Sequence, residues 1–428
     1  MRFFNTFKNT GKFCVLKFLE PLVRFKLKRT RPKIIGVTGS FGKTSTKEAI
    51  YEVLKTRWNV YRSPKSLNTE TGLLLSILEQ PSGFSSPLKW IKILAGAFLN
   101  ALSGKAHDFL VLEYGADKPG DIQYLISVVK PDIAVLTHIS SVHQAEGQFK
   151  NEEEVFKEKK HLALGLNEKG IAILNAGDKF LKQLDEKLKS RIFWFNSTHG
   201  IYADNLNDST TGFSATIHMG SQNEPAEFKV PGTYHIDIFL PALLCGILNG
   251  ISLKEGIKAL KSFQLPPGRM SIIPGQHGSI ILDGSYNASP ETVKQALNLL
   301  KNFPGKRKIA VIGNMNELGK QTEAAHRRIA QQIGDWLDEL IAVGELAHIT
   351  ADECLKKGFP RSKIKILLTP KEVGEYLNSK NLTKGDVILF KGSQNRVRLE
   401  RAIKMIMADP EQAEKLLCRQ ESEWQKIH

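Results

Sequence analysis

A chain of 428 residues, 41% apolar and 24% charged, is long enough for two or three domains with cores of their own, in the composition of an ordinary globular protein. Its four cysteines, Cys14, Cys245, Cys354 and Cys418, lie far apart without a C-x-x-C pair. That excludes a disulfide framework or a structural zinc site and fits a reducing, cytoplasmic setting. The net charge of +16 is uneven, because residues 1–33 hold ten Lys or Arg against the single acid Glu20.

The basic arm, residues 1–33, interleaves Phe, Leu and Val with Lys and Arg. No apolar run approaches the ~20 residues of a membrane span, and no small-residue cleavage site follows an apolar core. Two roles fit such an amphipathic segment. It packs an apolar stripe on the next domain, or it touches anionic lipid peripherally. Nucleic acid is not an expected partner, since no recognition motif accompanies the charge.

From residue 34 onward, strand and helix signals alternate. IIGVT (34–38), FLVLEYG (109–115), IAVLTHI (133–139) and IAILNA (171–176) are apolar runs. Helix-like stretches such as STKEAIYEVLKT and EEEVFKEKKHLALGL separate them, in the βαβ pattern of a largely parallel sheet. Residues 81–104 carry an apolar block too short to span a bilayer, which reads as a surface or packing helix, with membrane contact as the lesser alternative. Residues 191–231 read as short strands and turns on an excursion from the sheet. LPPGRM (265–270) marks a hinge. Five further strand signals follow: SIILDGS, KIAVIGN, ELIAVG, KIKILLT and DVILFKG. The expected fold class is therefore α/β: after the arm 1–33, a central P-loop-type ATPase domain with a mostly parallel sheet over 34–265. A Rossmann-like, doubly wound C-terminal domain then covers 266–428.

Gly39-Ser40-Phe41-Gly42-Lys43-Thr44-Ser45 follows the first strand and opens a helix. Glycines let the backbone aim its N–H groups at phosphate, and the helix N-terminus adds partial positive charge. Lys43 can reach β- and γ-phosphate oxygens, and the Thr44 hydroxyl can ligate Mg²⁺. The pattern is GxxGKT rather than the longer GxxxxGK[ST], whose first glycine would fall at Val37. Glu113 and His143 follow two neighbouring strands at their carboxyl ends, where a parallel sheet presents residues to its crevice.

TGSFGKTST, SLNTETG, LEYGA, THISSVHQ, LPPGRM, DGSYNASP, GNMNELG and KGSQN occur in the order found in Mur ligases, and the chain resembles that family from about residue 34 to 405. SYNASP followed by NMNELG is most similar to the member that adds D-alanyl-D-alanine to a UDP-muramoyl-tripeptide. The resemblance implies an ADP-forming amide ligase of peptidoglycan precursor synthesis that works through an acyl phosphate. Its implied cofactors are ATP and two Mg²⁺, and its implied partners are a UDP-sugar peptide and a dipeptide. By residue, it implies metal ligation by Thr44, Glu113 and His143, and catalytic roles for Lys43, His143 and Lys159. Lys159 would carry CO₂ as a metal-binding carbamate; by its local sequence alone it is a solvated helix charge. Arg269 and Asn287 would contact ATP, Asn68 and Thr69 the substrate or its phosphates, and Asn316, Glu317 and His326 the incoming dipeptide.

Departures from the family are also legible. About 33 residues precede the first strand, too few for the domain that usually grips the UDP-sugar. Uridine recognition is then missing, rebuilt elsewhere or supplied by a partner. Tyr234, His235 and Ile238 stand where a Gly-x-His-Asn motif and a later Asn are usual, His161 stands in place of a Glu, and Gln394 replaces an Arg. Two further readings share these residues: a ligase for another carboxylate, such as a glutamyl chain or other wall polymer, and a nucleotide-binding scaffold that does not ligate.

Overall fold

The computed structural model describes residues 2–64, 67–83, 86–140, 147–209, 211–393 and 397–425. The central sheet contains β1 (Lys33–Thr38), β2 (Val60–Arg62), β3 (Phe109–Glu113), β4 (Ile133–Leu136), β5 (Ile171–Asn175), β6 (Arg191–Phe195), β7 (Ile201–Ser209), β8 (Gly212–Met219) and β9 (Gln222–Phe228). Their order is β2-β3-β1-β4-β5-β6-β7-β8-β9. Pairing is parallel from β2 through β6, with Val37 beside Glu113 and Thr38 beside Leu136. Strands β1, β3, β4 and β5 are near-continuous apolar runs because both faces of the sheet are covered. Alternate residues serve the two faces: Ile35 and Val37 enter one core, Ile34 and Leu112 the other.

The region 191–231 does not leave the sheet. β6 extends it in parallel, and β7, β8 and β9 continue it as an antiparallel meander. β7 touches β6 at a single parallel pair, Phe195 with Ile201, so its side toward β6 is free beyond that point and its residues are exposed from Asp204 to Ser209.

The second sheet contains β10 (Ser271–Pro274), β11 (Ile280–Gly284), β12 (Arg307–Gly313), β13 (Glu339–Val343), β14 (Ile364–Leu367) and β15 (Asp386–Lys391), in the order β10-β11-β15-β12-β13-β14. The five expected strands are parallel neighbours, and the unexpected β10 pairs antiparallel at the edge.

The basic arm forms helix α1 (Arg2–Thr30), and it packs. Leu19 and Val23 are fully buried against the sheet face opposite α2 (Lys43–Leu54). The buried Lys26 ammonium donates to Ile77 O, Asn100 Oδ1 and the Glu79 carboxylate. Those acceptors lie on or beside α3 (Glu70–Ile77) and α4 (Pro87–Ser103). Further along, Arg29 donates to Ala101 O and Gly104 O, and Tyr124 OH donates to Glu20. Among the described residues no helix is long and apolar enough to cross a membrane.

Candidate active site

In sheet order the chain moves to one side of β1 through β3 and to the other through β4, so a crevice opens at the carboxyl ends of β1 and β4. The loop 39–42 fills its floor. Gly39 has φ 152°, and a Cβ there would lie 1.9 Å from Thr137 Oγ1. Gly42 has φ 81° and caps α2 with open space before it. Only glycine suits both positions. Ser40 N donates to His138 O at 2.6 Å, and Thr137 Oγ1 donates to Phe41 O at 2.7 Å, which fixes the loop to the end of β4.

The loop faces a cleft of about 460 Å³ that is walled by both domains. Lys43 Nζ donates to Gly39 O at 2.7 Å, curling along the loop. Burial pulls its pKa down, while Glu113 counteracts this. Thr44 Oγ1 and Glu113 Oε2 lie 2.9 Å apart, and Asn68 Nδ2 donates to Glu113 Oε1 at 2.8 Å. Two buried hard-oxygen donors side by side suit Mg²⁺. Thr69 caps α3, its Oγ1 accepting from Gly72 N. From the hinge, Arg269 Nη2 donates to Thr44 Oγ1 at 3.2 Å while its guanidinium lies 3.8 Å from the Tyr286 ring centre. One side chain therefore touches both lobes.

Lys159 ends α6 (Glu152–Lys159), whose Asn151 cap and first-turn acids favour helix. It is 1% exposed and is not among the residues that line the cleft. Burial, and then the charge of Lys43, lower its pKa to about 7 against the opposing pull of Asp117, Glu158 and Glu113. Its neighbour Glu158 turns the other way and accepts from Gly120 N and Ile122 N, capping α5 (Asp121–Val128). His161 contacts Gln123 at the surface.

On the C-terminal wall, Asn287, Asn316 and Glu317 line the cleft. Lys391 Nζ donates to Asn287 O at 2.5 Å, and burial with Arg269 nearby brings its pKa to about 7. His326 is not on the cleft. It is fully buried, with Nε2 accepting from Met315 N and Nδ1 against Thr350 Oγ1, so it supports the Asn314–Glu317 loop from behind. His143 and Gln394 lie outside the described residues.

Three contributors to the cleft escape a reading of the sequence. His138 stacks on Phe41 with ring centres 4.8 Å apart and sits between Asp178 and Asp237. Burial works against its charge, but those carboxylates outweigh it and raise its pKa to about 9. Its place directly after β4 was the available signal. Asp237 also accepts from Asn196 Nδ2; near it His235, one of the departures read from the sequence, is buried with Nδ1 against Pro231 O. Last, the C-terminal tail returns across the lobes: Glu423 pairs with Lys89 of α4, Arg398 Nη1 donates to Trp424 O, and Trp424 lines the cleft.

Two family models cover most of this architecture. The Mur ligase middle domain matches residues 37–246, and the Mur ligase glutamate ligase domain matches residues 268–394. The chain belongs to the Mur ligase family. As a Mur ligase it is an ATP-dependent, ADP-forming enzyme. It is 28% identical over 399 residues to the UDP-N-acetylmuramoyl-tripeptide–D-alanyl-D-alanine ligase of Bacillus subtilis, covering 92% of this chain and 80% of that one. The enzyme of the same name from Rickettsia prowazekii is 26% identical over 90% of this chain and 80% of its own. The solved MurF ligase from Thermotoga maritima in complex with ADP superposes with a TM-score of 0.76 at 28% identity, covering 94% of this chain and 84% of that one. The cleft has two walls, with residues 40–44 on one lobe and Asn316 and Glu317 on the other.

Proposed function

We propose that the protein joins D-alanyl-D-alanine to the free carboxylate of a UDP-muramoyl-tripeptide in peptidoglycan precursor synthesis, using ATP. The supporting observation is the convergence on one cleft of residues 40–44, Glu113, Arg269 from the hinge and Asn316 and Glu317 from the second domain.

In the first step a carboxylate oxygen of the substrate attacks the γ-phosphorus. The bond to the β-phosphate oxygen breaks, ADP departs and an acyl phosphate forms. Both reactants are anions, so the barrier falls mainly through positioned cations and N–H donors. Lys43 and Arg269 supply the charge and the loop amides the donors. Thr44 and Glu113 would hold Mg²⁺, which neutralises phosphate oxygens when bound. His143 is proposed as a ligand of a second Mg²⁺. Lys159, with its amine near neutrality, is suited to take up CO₂ as a carbamate, releasing one proton and offering two oxygens to metal. In the second step the amine of the dipeptide attacks the acyl carbon, the carbon–oxygen bond to phosphorus breaks and phosphate leaves, with one amine proton lost to solvent. Holding the two reactants in contact is the chief gain there. Asn68 and Thr69 would position the acyl end, and Asn316 and Glu317 the dipeptide.

ADP release is the test. It is expected with UDP-muramoyl-tripeptide and D-alanyl-D-alanine together and not with either alone. Turnover indifferent to every amine would overturn the proposal. Omitting the UDP group from the acyl substrate tests whether uridine is recognised here or by a partner.

A further inference from the structure

We propose that the outward faces of α1 and α4 form one docking surface for an anionic lipid bilayer. This goes beyond the ligase reading and does not depend on it. Eleven large hydrophobic side chains are exposed among the described residues, and eight belong to these two helices: Phe13, Phe18 and Phe25 on α1, and Leu88, Ile91, Phe98, Leu99 and Leu102 on α4. Scattered apolar residues need no explanation, but a cluster of this kind marks an interaction site.

Each helix is apolar on two sides. Inward, α1 buries Leu19 and Val23, and α4 buries Ile93, Ala97 and Ala101, all in the same core. Both therefore lie in one helix layer, tied together by Lys26 to Asn100 and Arg29 to Ala101, and their opposite sides look away from the core together. On α1 the outer stripe runs Cys14, Phe18, Pro21, Phe25, at spacings of four, three and four residues. That is the repeat of one helix face. On α4 the stripe runs Leu88, Ile91, Ala95, Phe98 and Leu102.

Charge selects the occupant. Lys17, Lys28, Lys92 and Lys105 are exposed around the stripes, and α4 contains no acid. A second copy of the chain would bring this face against itself, lysine against lysine, because a two-fold contact pairs a patch with its own image. An anionic leaflet offers both an apolar interior and opposite charge. With 17 residues, α4 is short for a span, so the helices would lie in the plane of the interface.

The experiment is sedimentation of the full chain with vesicles of phosphatidylcholine, with and without phosphatidylglycerol. Binding is expected to the anionic vesicles and to weaken as salt rises. Each basic residue near such a surface contributes about a fivefold gain. Combining Lys17→Glu, Lys28→Glu and Lys92→Glu should therefore weaken binding roughly a hundredfold or more. Combining Phe18→Ser, Ile91→Ser and Leu99→Ser should weaken it at least tenfold, with the melting temperature unchanged in both variants. A full chain that stays in the supernatant with phosphatidylglycerol overturns the proposal. So does pelleting of both variants to the same extent as the unsubstituted chain, or self-association that those apolar substitutions abolish without any effect of vesicles.

Discussion

Removing the proton from His138 should loosen the fold at alkaline pH. The imidazole titrates ordinarily at 6.5 and is held at about 9 between Asp178 and Asp237. A raised value means that the stabilisation is complete below 6.5 and disappears as pH climbs through 9. The whole gap corresponds to about 3 kcal/mol, of which about 2 kcal/mol is still present at pH 7.5 and almost none at pH 10. The substitution His138→Gln keeps a donor but removes the titrating charge. Urea unfolding of both proteins at pH 7.5 and pH 10 isolates the contribution, because all other titrating groups are shared. The wild type should lose about 2 kcal/mol more than the variant over that interval. Nucleotide affinity should fall in the same window, since Ser40 and Phe41 rest on this residue. Equal losses in the two proteins would refute the reasoning.

Lys159→Ala should lower ligation at least a hundredfold while ADP binding persists, and a short carboxylic acid should restore part of the rate; an unchanged rate would remove the carbamate. Gly39→Ala should weaken ADP binding at least tenfold by calorimetry, because its Cβ would collide with Thr137 Oγ1; undiminished affinity would mean that the loop does not hold phosphate in this shape. Deleting residues 1–30 exposes the pocket left by Leu19 and Val23, each worth about 1.5–3 kcal/mol when buried. The melting temperature should fall by several degrees or the product should aggregate, and a truncated chain that melts with the intact one would contradict the packing of α1.

Much of the fold is legible because parallel strands buried on both faces are written as apolar runs. β1, β3, β4 and β5 begin within one residue of where the pattern puts them, and so does β12. β2 has only three residues and β10 four, too few to show a period. The meander β7–β9 carries Asp, Asn, Ser and Glu on exposed positions, so nothing local announces that it joins the main sheet. In the cleft, the glycine loop, Thr44 and Glu113 are legible from spacing and strand ends. Lys159 is not: EEEVFKEK looks solvated, and only the tertiary packing that puts Glu153 and Lys157 in water sends Glu158 and Lys159 inward. The pairing of His138 with Asp178 and Asp237 joins residues about 40 and 99 positions apart, a distance that no local pattern spans.

The returning tail gives the two lobes a second point of attachment besides the proline hinge. Its ion pair, Lys89 with Glu423, is exposed at 56% and 29%, the kind of contact that electrolyte readily dissolves. Among the described residues the lobes are thus held by the hinge, with Arg269 reaching Thr44, and by this looser clasp. At high ionic strength the clasp lets go, and small-angle scattering should register a larger radius of gyration as the lobes swing apart.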